Sequence, residues 1–387
     1  MKSLLSQRVQ NVQASGIRRF FDIAASMKDV ISLSIGEPDF VTPDRLREAG
    51  IAAIRRGETK YTSNFGTIEL RRAISEHLAG LYGVRYDPGK EILVTVGVSE
   101  ALTCAMLALI DPGDEVVVPE PCFVAYKPAV VFSGGVPAVV HTRVEDAFQA
   151  TGEAVGRVVT PAAKAVLIGY PNNPTGAVMP RERLVEISKV AEKNDLLVFS
   201  DEIYDRLVYG VEHVCFASLP GMRDRTVLLG GFSKDYAMTG WRVGYVCARP
   251  EILSAVCRIH QYAIMSAPSM SQACAMEGLL HGEDDVRNMV RSYDERRRMI
   301  VDGLNRIGLP TFEPKGAFYA FPDIRRSGLN SEDFSEKLLT EQRVAVVPGS
   351  AFGESGEGFV RMCYAAGRAD IEEALRRIKR FMESRAS

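Results

Sequence analysis

Between residues 91 and 247 short β-branched runs alternate with stretches whose apolar residues recur every three or four positions. The runs ILVTV (92–96), EVVV (115–118), VPAVV (136–140), AVLIG (165–169), LLVFS (196–200), TVLL (226–229) and VGYVC (243–247) predict seven strands, with helices between several of them, as at 99–110 and 181–193. This alternation predicts an α/β domain built on a central, largely parallel sheet covered on both faces. Ligands in such sheets gather beyond the carboxyl ends of the strands, so the polar residues there are the ones to read for chemistry. Upstream, Leu70, Ile74, Leu78 and Leu81 step at helical spacing below a YTSNFG loop, and a segment from Ile17 to Met27 also reads as helical. Downstream, Val286, Val290, Tyr293, Arg297, Ile300 and Leu304 predict one long helix over 283–306, with RSYDERRR as a solvated face. GAFYAFPDI and RVAVVPGSAFG read as strands flanking turns, and FVRMCYA as an apolar strand that carries Arg361. The expected organisation is an N-terminal arm (1–45), a large domain (46–282) and a linking helix with a smaller α+β domain (283–387).

Composition narrows the partners. Forty-seven basic side chains against 49 acidic ones give a net charge of −2, which supplies no basic field for nucleic acid or an anionic membrane surface. The N-terminal residues lack an apolar signal core and no later run reaches membrane-spanning length, so a soluble, cytoplasmic protein is expected. Seven scattered cysteines, with no CxxC and no Cys/His cluster, read as reduced, buried thiols rather than metal ligands.

The strand ends carry the candidate chemistry. GGFSKDYAMTGWRVGY (230–245) places Lys234 directly after Ser233, with Arg242 eight positions on. Small residues let backbone and hydroxyl donors close around an anion, an arginine can clamp the same anion through parallel hydrogen bonds, and a lysine beside it can condense with an aldehyde. Gly97, Val98 and Ser99 open a helix after the first strand, where Ser99 can cap and free amides can bind an anion. Phe123 follows the second strand; on the residues alone it reads as core packing. YPNNPTG (170–176) is a rigid turn, and the bond before Pro174 is a candidate for the cis form. Asp201 and Tyr204 leave the apolar strand LLVF, and an acid emerging there needs a cation or strong donors. Gly36 lies in the turn SIGEPDF. Arg361, charged within an apolar strand, is at an edge or faces an anion.

Taken together, YPNNPTG, SDEIYDRL, GFSKDYAMTGWRVGY and VPGSAFG occur in the order found in the pyridoxal-phosphate aminotransferases of fold type I, the aspartate aminotransferase superfamily, which this chain resembles over nearly its whole length. SGIRRFFDIA and MKDVISL resemble the archaeal and bacterial branch with aromatic and aspartate aminotransferases. The resemblance implies a fold-type-I α/β transferase in which Lys234 holds pyridoxal 5'-phosphate as a Schiff base and then moves a proton as base and acid. It implies that Asp201 pairs with the pyridine nitrogen, that Tyr204 and Asn173 meet the ring oxygen, and that Phe123 stacks on the ring. Val98, Ser99, Ser233 and Arg242 would surround the phosphate, and Tyr61 would reach it from a neighbouring subunit, making a homodimer. Gly36, Asn173 and Arg361 would take the substrate carboxylate.

The implied reaction moves the amino group of an L-amino acid to a 2-oxo acid such as 2-oxoglutarate. Two departures bear on detail: position 231 is glycine where some relatives carry a hydroxyl, and no arginine in the motifs marks a partner for a side-chain carboxylate. Aromatic or broad specificity is therefore favoured over aspartate. The alternatives are an aspartate aminotransferase, a lyase or synthase of the same fold, and a ligand-binding regulator; intact Lys234, Asp201 and Arg361 weigh against the last.

Overall fold

The computed structural model describes residues 4–12 and 27–385; the helix expected over Ile17–Met27 falls almost wholly outside them. All seven expected strands form, as β1 (Ile92–Thr95), β2 (Glu115–Glu120), β3 (Val136–His141), β4 (Ala163–Gly169), β5 (Leu197–Asp201), β6 (Thr226–Gly231) and β7 (Gly244–Cys247). They make one sheet in the order β1-β7-β6-β5-β4-β2-β3. Six run parallel and β7 runs antiparallel to both neighbours. Its reversal follows from the connection over 232–243, which holds a short 3-10 turn and no crossover helix to carry the chain back.

Burial explains the continuous apolar runs. Val116, Val118, Leu167, Phe199 and Leu229 pack on one face with the helices Gly97–Leu109 and Pro250–Ala263, while Val117, Val166, Ile168 and Val198 pack on the other with the helix Arg181–Lys193. A strand covered on both sides has no polar face to alternate with.

The helix Glu283–Ile307 matches its expected span and buries Val286, Tyr293, Ile300 and Leu304. The expected solvated face needs one correction: Arg297 is buried, held by Asp294 at 2.7 Å and Glu313 at 2.8 Å. Beyond it β8 (Tyr319–Ala320), β9 (Val347–Pro348) and β10 (Val360–Cys363) form an antiparallel sheet in the order β9-β10-β8. RVAVVPG is divided between two sheets, because Val344–Ala345 pairs with Ile31–Ser32 and only Val347–Pro348 joins β10. Backbone bonds tie this region to the large sheet: Tyr209 N donates to Lys315 O (2.8 Å), Ala317 N to Leu207 O (2.9 Å) and Lys315 N to Gly176 O (2.9 Å). Those bonds bring β8 over the carboxyl ends of the long strands. All seven cysteines are unpaired and buried, and among the described residues no helix is long and apolar enough to cross a membrane.

Candidate active site

A cavity of about 370 Å³ opens beyond the carboxyl ends of the parallel strands. Each strand end delivers part of its wall: Val98 and Ser99 after β1, Phe123 after β2, Asn173 after β4, Asp201 and Tyr204 from β5, Ser233 and Lys234 after β6. Arg242 closes it from the β6–β7 connection, Gly36 from the N-terminal turn and Arg361 from β10. Tyr61 is apart from the others, 82% exposed and outside this cavity.

Lys234 Nζ donates to Gly36 O at 2.7 Å and lies 5.8 Å from the ring centroids of Tyr204 and Phe318. Burial pulls its ammonium down to about 8, and the charges of Arg361 and Arg242 act in the same direction. Asp201 accepts from Tyr126 Oη at 2.8 Å and from Ile203 N at 3.2 Å. Burial nevertheless pushes its carboxyl up to about 6, since those two donors offset only part of the lost hydration.

Arg361 is 5% exposed. It donates from Nη1 to Asn173 Oδ1 (2.9 Å) and from Nη2 to Ser34 O (2.6 Å), while Nε has no partner. Its guanidinium lies 4.6 Å from the Tyr319 ring centroid and 4.9 Å from that of Phe352. Among the described residues no carboxylate pairs with it, so β10 carries a buried cation stabilised only by neutral acceptors and ring faces. The edge reading of that strand fails, as β10 is flanked by β9 and β8.

Close approach accounts for three glycines. A Cβ on Gly97, at φ +73°, would stand 2.7 Å from Arg242 Nη2; one on Gly244 would stand 2.9 Å from Gly97 C; one on Gly231 would stand 3.0 Å from Val98 Cγ2. Side chains at these positions would push Arg242 and the first turn of the helix Gly97–Leu109 apart. Glycine at 231 therefore has a packing reason, and hydroxyl donors in this corner come from Ser99 and Ser233.

Two expectations are corrected. Ser99 does not cap its helix: the helix starts at Gly97 with Val96 as the capping position, Glu100 Oε2 accepts from Val96 N at 2.8 Å, and Ser99 lies inside the first turn, on the cavity wall. The bond before Pro174 is not cis; the cis bonds precede Pro121 and Pro171. The turn is held by Asn172, whose Oδ1 accepts from Thr175 N (3.2 Å) and Thr175 Oγ1 (2.8 Å), with Gly176 N donating to Asn172 O (2.9 Å). The sequence reading also missed Tyr126, Thr239 and Tyr319. Arg242 Nη1 donates to Thr239 O at 2.9 Å, and Tyr319 Oη lies 2.7 Å from Tyr204 Oη.

A seven-stranded sheet with a lysine, a buried acid and a buried arginine at its carboxyl edge defines an α/β enzyme site for a charged small molecule. The family model described as "Aminotransferase class I and II" matches residues 28–378, and the chain belongs to that family. It is 50% identical over 382 residues to "Putative aminotransferase YugH" of Bacillus subtilis, covering 99% of each chain. It is 44% identical to an aspartate aminotransferase of Pyrococcus abyssi, covering 98% of this chain and 99% of that one. The crystal structure of an aromatic aminotransferase from Pyrococcus horikoshii superposes with a TM-score of 0.91 at 42% identity, over 96% of this chain and all of that one. The protein is thus an aminotransferase of fold type I, and its family works with pyridoxal phosphate. The residues present fit that group: a buried acid without an ion-pair partner, a lysine held largely neutralisable by burial, and an arginine against a glycine cradle at a helix N-terminus.

Proposed function

We propose that this chain transfers the amino group of an L-amino acid with an aromatic or other apolar side chain to a 2-oxo acid such as 2-oxoglutarate, with pyridoxal phosphate bound through Lys234. The observation that carries this reading is the buried, acid-free guanidinium of Arg361, with an unpartnered Nε, in the same cavity as the buried amine of Lys234. One group suits a substrate carboxylate and the other suits covalent and proton chemistry at the adjacent carbon.

Ser99, Ser233, Arg242 and the amides opening the helix Gly97–Leu109, Val98 among them, would hold the phosphate. Asp201 would keep the ring nitrogen protonated, with Tyr126 holding the carboxylate in place. Asn173 and Tyr204 would meet the ring oxygen, and Phe123 the ring face. When bound, pyridoxal phosphate supplies an aldehyde that captures the amino group and a ring that takes up the electron pair left at the α-carbon. Arg361, braced by Asn173 and joined by the Gly36 backbone, fixes the carboxylate and thereby the α-hydrogen. Lys234 Nζ, lowered to about 8, would take that proton as base and deliver it as acid to the carbon that carried the aldehyde.

Among the described residues, Lys234, Arg242 and Arg361 are the cations on the cavity wall, and each has a role, which leaves none of these three for a side-chain carboxylate. Homodimer formation, with Tyr61 serving the neighbouring site, is supported by the exposure of Tyr61 and by a second exposed aromatic, Tyr262, at 85%. Seven unpaired thiols support a reducing, cytoplasmic setting.

The test is the visible spectrum of the pyridoxal-phosphate form while phenylalanine, aspartate, alanine and glutamate are added singly. Loss of the yellow band, fastest with phenylalanine, is expected. Conversion by aspartate at a rate at least tenfold above phenylalanine would overturn the specificity proposal, and conversion by none of the four would overturn the apolar-donor reading.

A further inference from the structure

Tyr319 touches three parts of the site at once. Its hydroxyl lies 2.7 Å from Tyr204 Oη and 3.5 Å from Gly36 O, and its ring lies under the Arg361 guanidinium. It is fully buried on β8, and a Cβ on Gly36 would come within 2.6 Å of its hydroxyl, so the N-terminal turn is shaped around it.

A pair of tyrosine hydroxyls has two protons and a choice of direction. Either Tyr204 donates to Tyr319, which then donates towards Gly36 O, or Tyr319 donates to Tyr204 and leaves the Tyr204 proton free for a third group. An oxygen acceptor beside Tyr204 selects the second arrangement, because a hydroxyl that already accepts a hydrogen bond is a stronger donor. We propose that Tyr319 is a positioning residue that turns the Tyr204 hydroxyl towards the cofactor's ring oxygen and so lowers the proton affinity of the Lys234 nitrogen joined to the cofactor. This rests on the reading, given above, that Tyr204 meets that oxygen. Stronger donation stabilises negative charge on the oxygen, and a stabilised anion there needs the neighbouring nitrogen's proton less. The ring makes a separate contribution, as a face for Arg361.

The two roles separate by substitution. In the cofactor-loaded full chain, Tyr319→Phe removes the hydroxyl and keeps the ring; Tyr319→Leu removes both. The pH midpoint of the visible band reports the proton on the Lys234 nitrogen. Tyr319→Phe is expected to raise that midpoint by about half a unit, with the amino-acid KM within about twofold of wild type. Tyr319→Leu is expected to raise the midpoint similarly and to increase KM about fivefold or more through the lost ring face. Because Tyr319 acts through Tyr204, Tyr204→Phe is expected to give a larger rise that adding Tyr319→Phe does not increase. An unchanged or lowered midpoint in Tyr319→Phe, or a double variant whose shift equals the sum of the single shifts, overturns the proposal. If Tyr204→Phe itself leaves the midpoint unmoved, the reading of Tyr204 at the ring oxygen fails and the proposal fails with it. A shift in Tyr204→Phe without one in Tyr319→Phe removes the Tyr319 proposal alone.

Discussion

If Arg361 takes the substrate carboxylate as proposed, replacing it by alanine should separate substrate recognition from fold stability, because the guanidinium stabilises little before a carboxylate arrives. It is buried, it has no acidic partner, and its Nε makes no hydrogen bond. Truncation forfeits the bonds to Asn173 Oδ1 and Ser34 O and the packing on Tyr319 and Phe352, but it also removes a desolvated charge. These effects oppose one another, so the variant should fold with a Tm lowered by a few degrees. A bound carboxylate, by contrast, loses its charge-assisted partner in a low-dielectric cavity, which costs about 3–4 kcal/mol, or ~10²–10³-fold in affinity. The assay is the rate of bleaching of the cofactor band by amino acid alone, followed against concentration. Arg361→Ala should raise the half-saturating concentration by ~10²–10³-fold, and Arg361→Lys by about tenfold, since lysine keeps the charge and loses the planar fork. 2-Phenylethylamine, which lacks the carboxyl group, should react as slowly with the variants as with wild type. A half-saturating concentration within about threefold of wild type in Arg361→Ala, or an equal loss towards the carboxyl-free amine, would refute the assignment.

Two further outcomes test other parts of the site. Asp201 has an ordinary value of 3.8 and is pushed to about 6 in the fold, so between about pH 4 and 6 the folded chain keeps a proton that the unfolded chain has released. Its contribution to stability therefore falls as pH rises through that window, by about 3 kcal/mol at most, and stays lost above it. The urea midpoint of the cofactor-free protein, compared at pH 4.5 and 7, should drop less in Asp201→Asn than in wild type; an equal drop would show that another group is responsible. For the shared site, mixing inactive Tyr61 and Lys234 variants under conditions of subunit exchange should restore part of the activity through hybrid dimers that hold one intact site. Absence of any recovery despite demonstrated exchange would place Tyr61 outside the neighbouring site.

What the sequence made legible follows from what each residue depends on. The seven long strands could be read because burial on both faces demands unbroken apolar runs, and this is a local property of runs such as VLIG and LLVF. Val344–Ala345 and Val347–Pro348 could not be assigned to separate sheets, since that division is set by Ile31–Ser32 and β10, far away in the chain. Asp201 and Arg361 were visible for a related reason, since a charge leaving or within an apolar strand is anomalous before any partner is known, and Lys234 stood out through the small residues before it and Arg242 eight positions on. Tyr126 and Tyr319 offer no such anomaly. Each is an aromatic among aromatics, and its hydroxyl acquires meaning only by meeting Asp201 or Tyr204, 75 and 115 residues distant. The same distinction explains the local errors. Ser99 and Pro174 are residue types that suit capping and cis bonds, but Val96 takes the capping position with Glu100 on its amide, and in YPNNPTG the cis bond precedes Pro171 while the Asn172 side chain closes the turn. Residue type therefore located the charged side chains of the cavity, while tertiary contact determined which neutral hydroxyls meet them; if the proposed roles hold, substitutions of buried tyrosines should alter proton affinities and rates at this site more readily than they alter which substrate carboxylate binds.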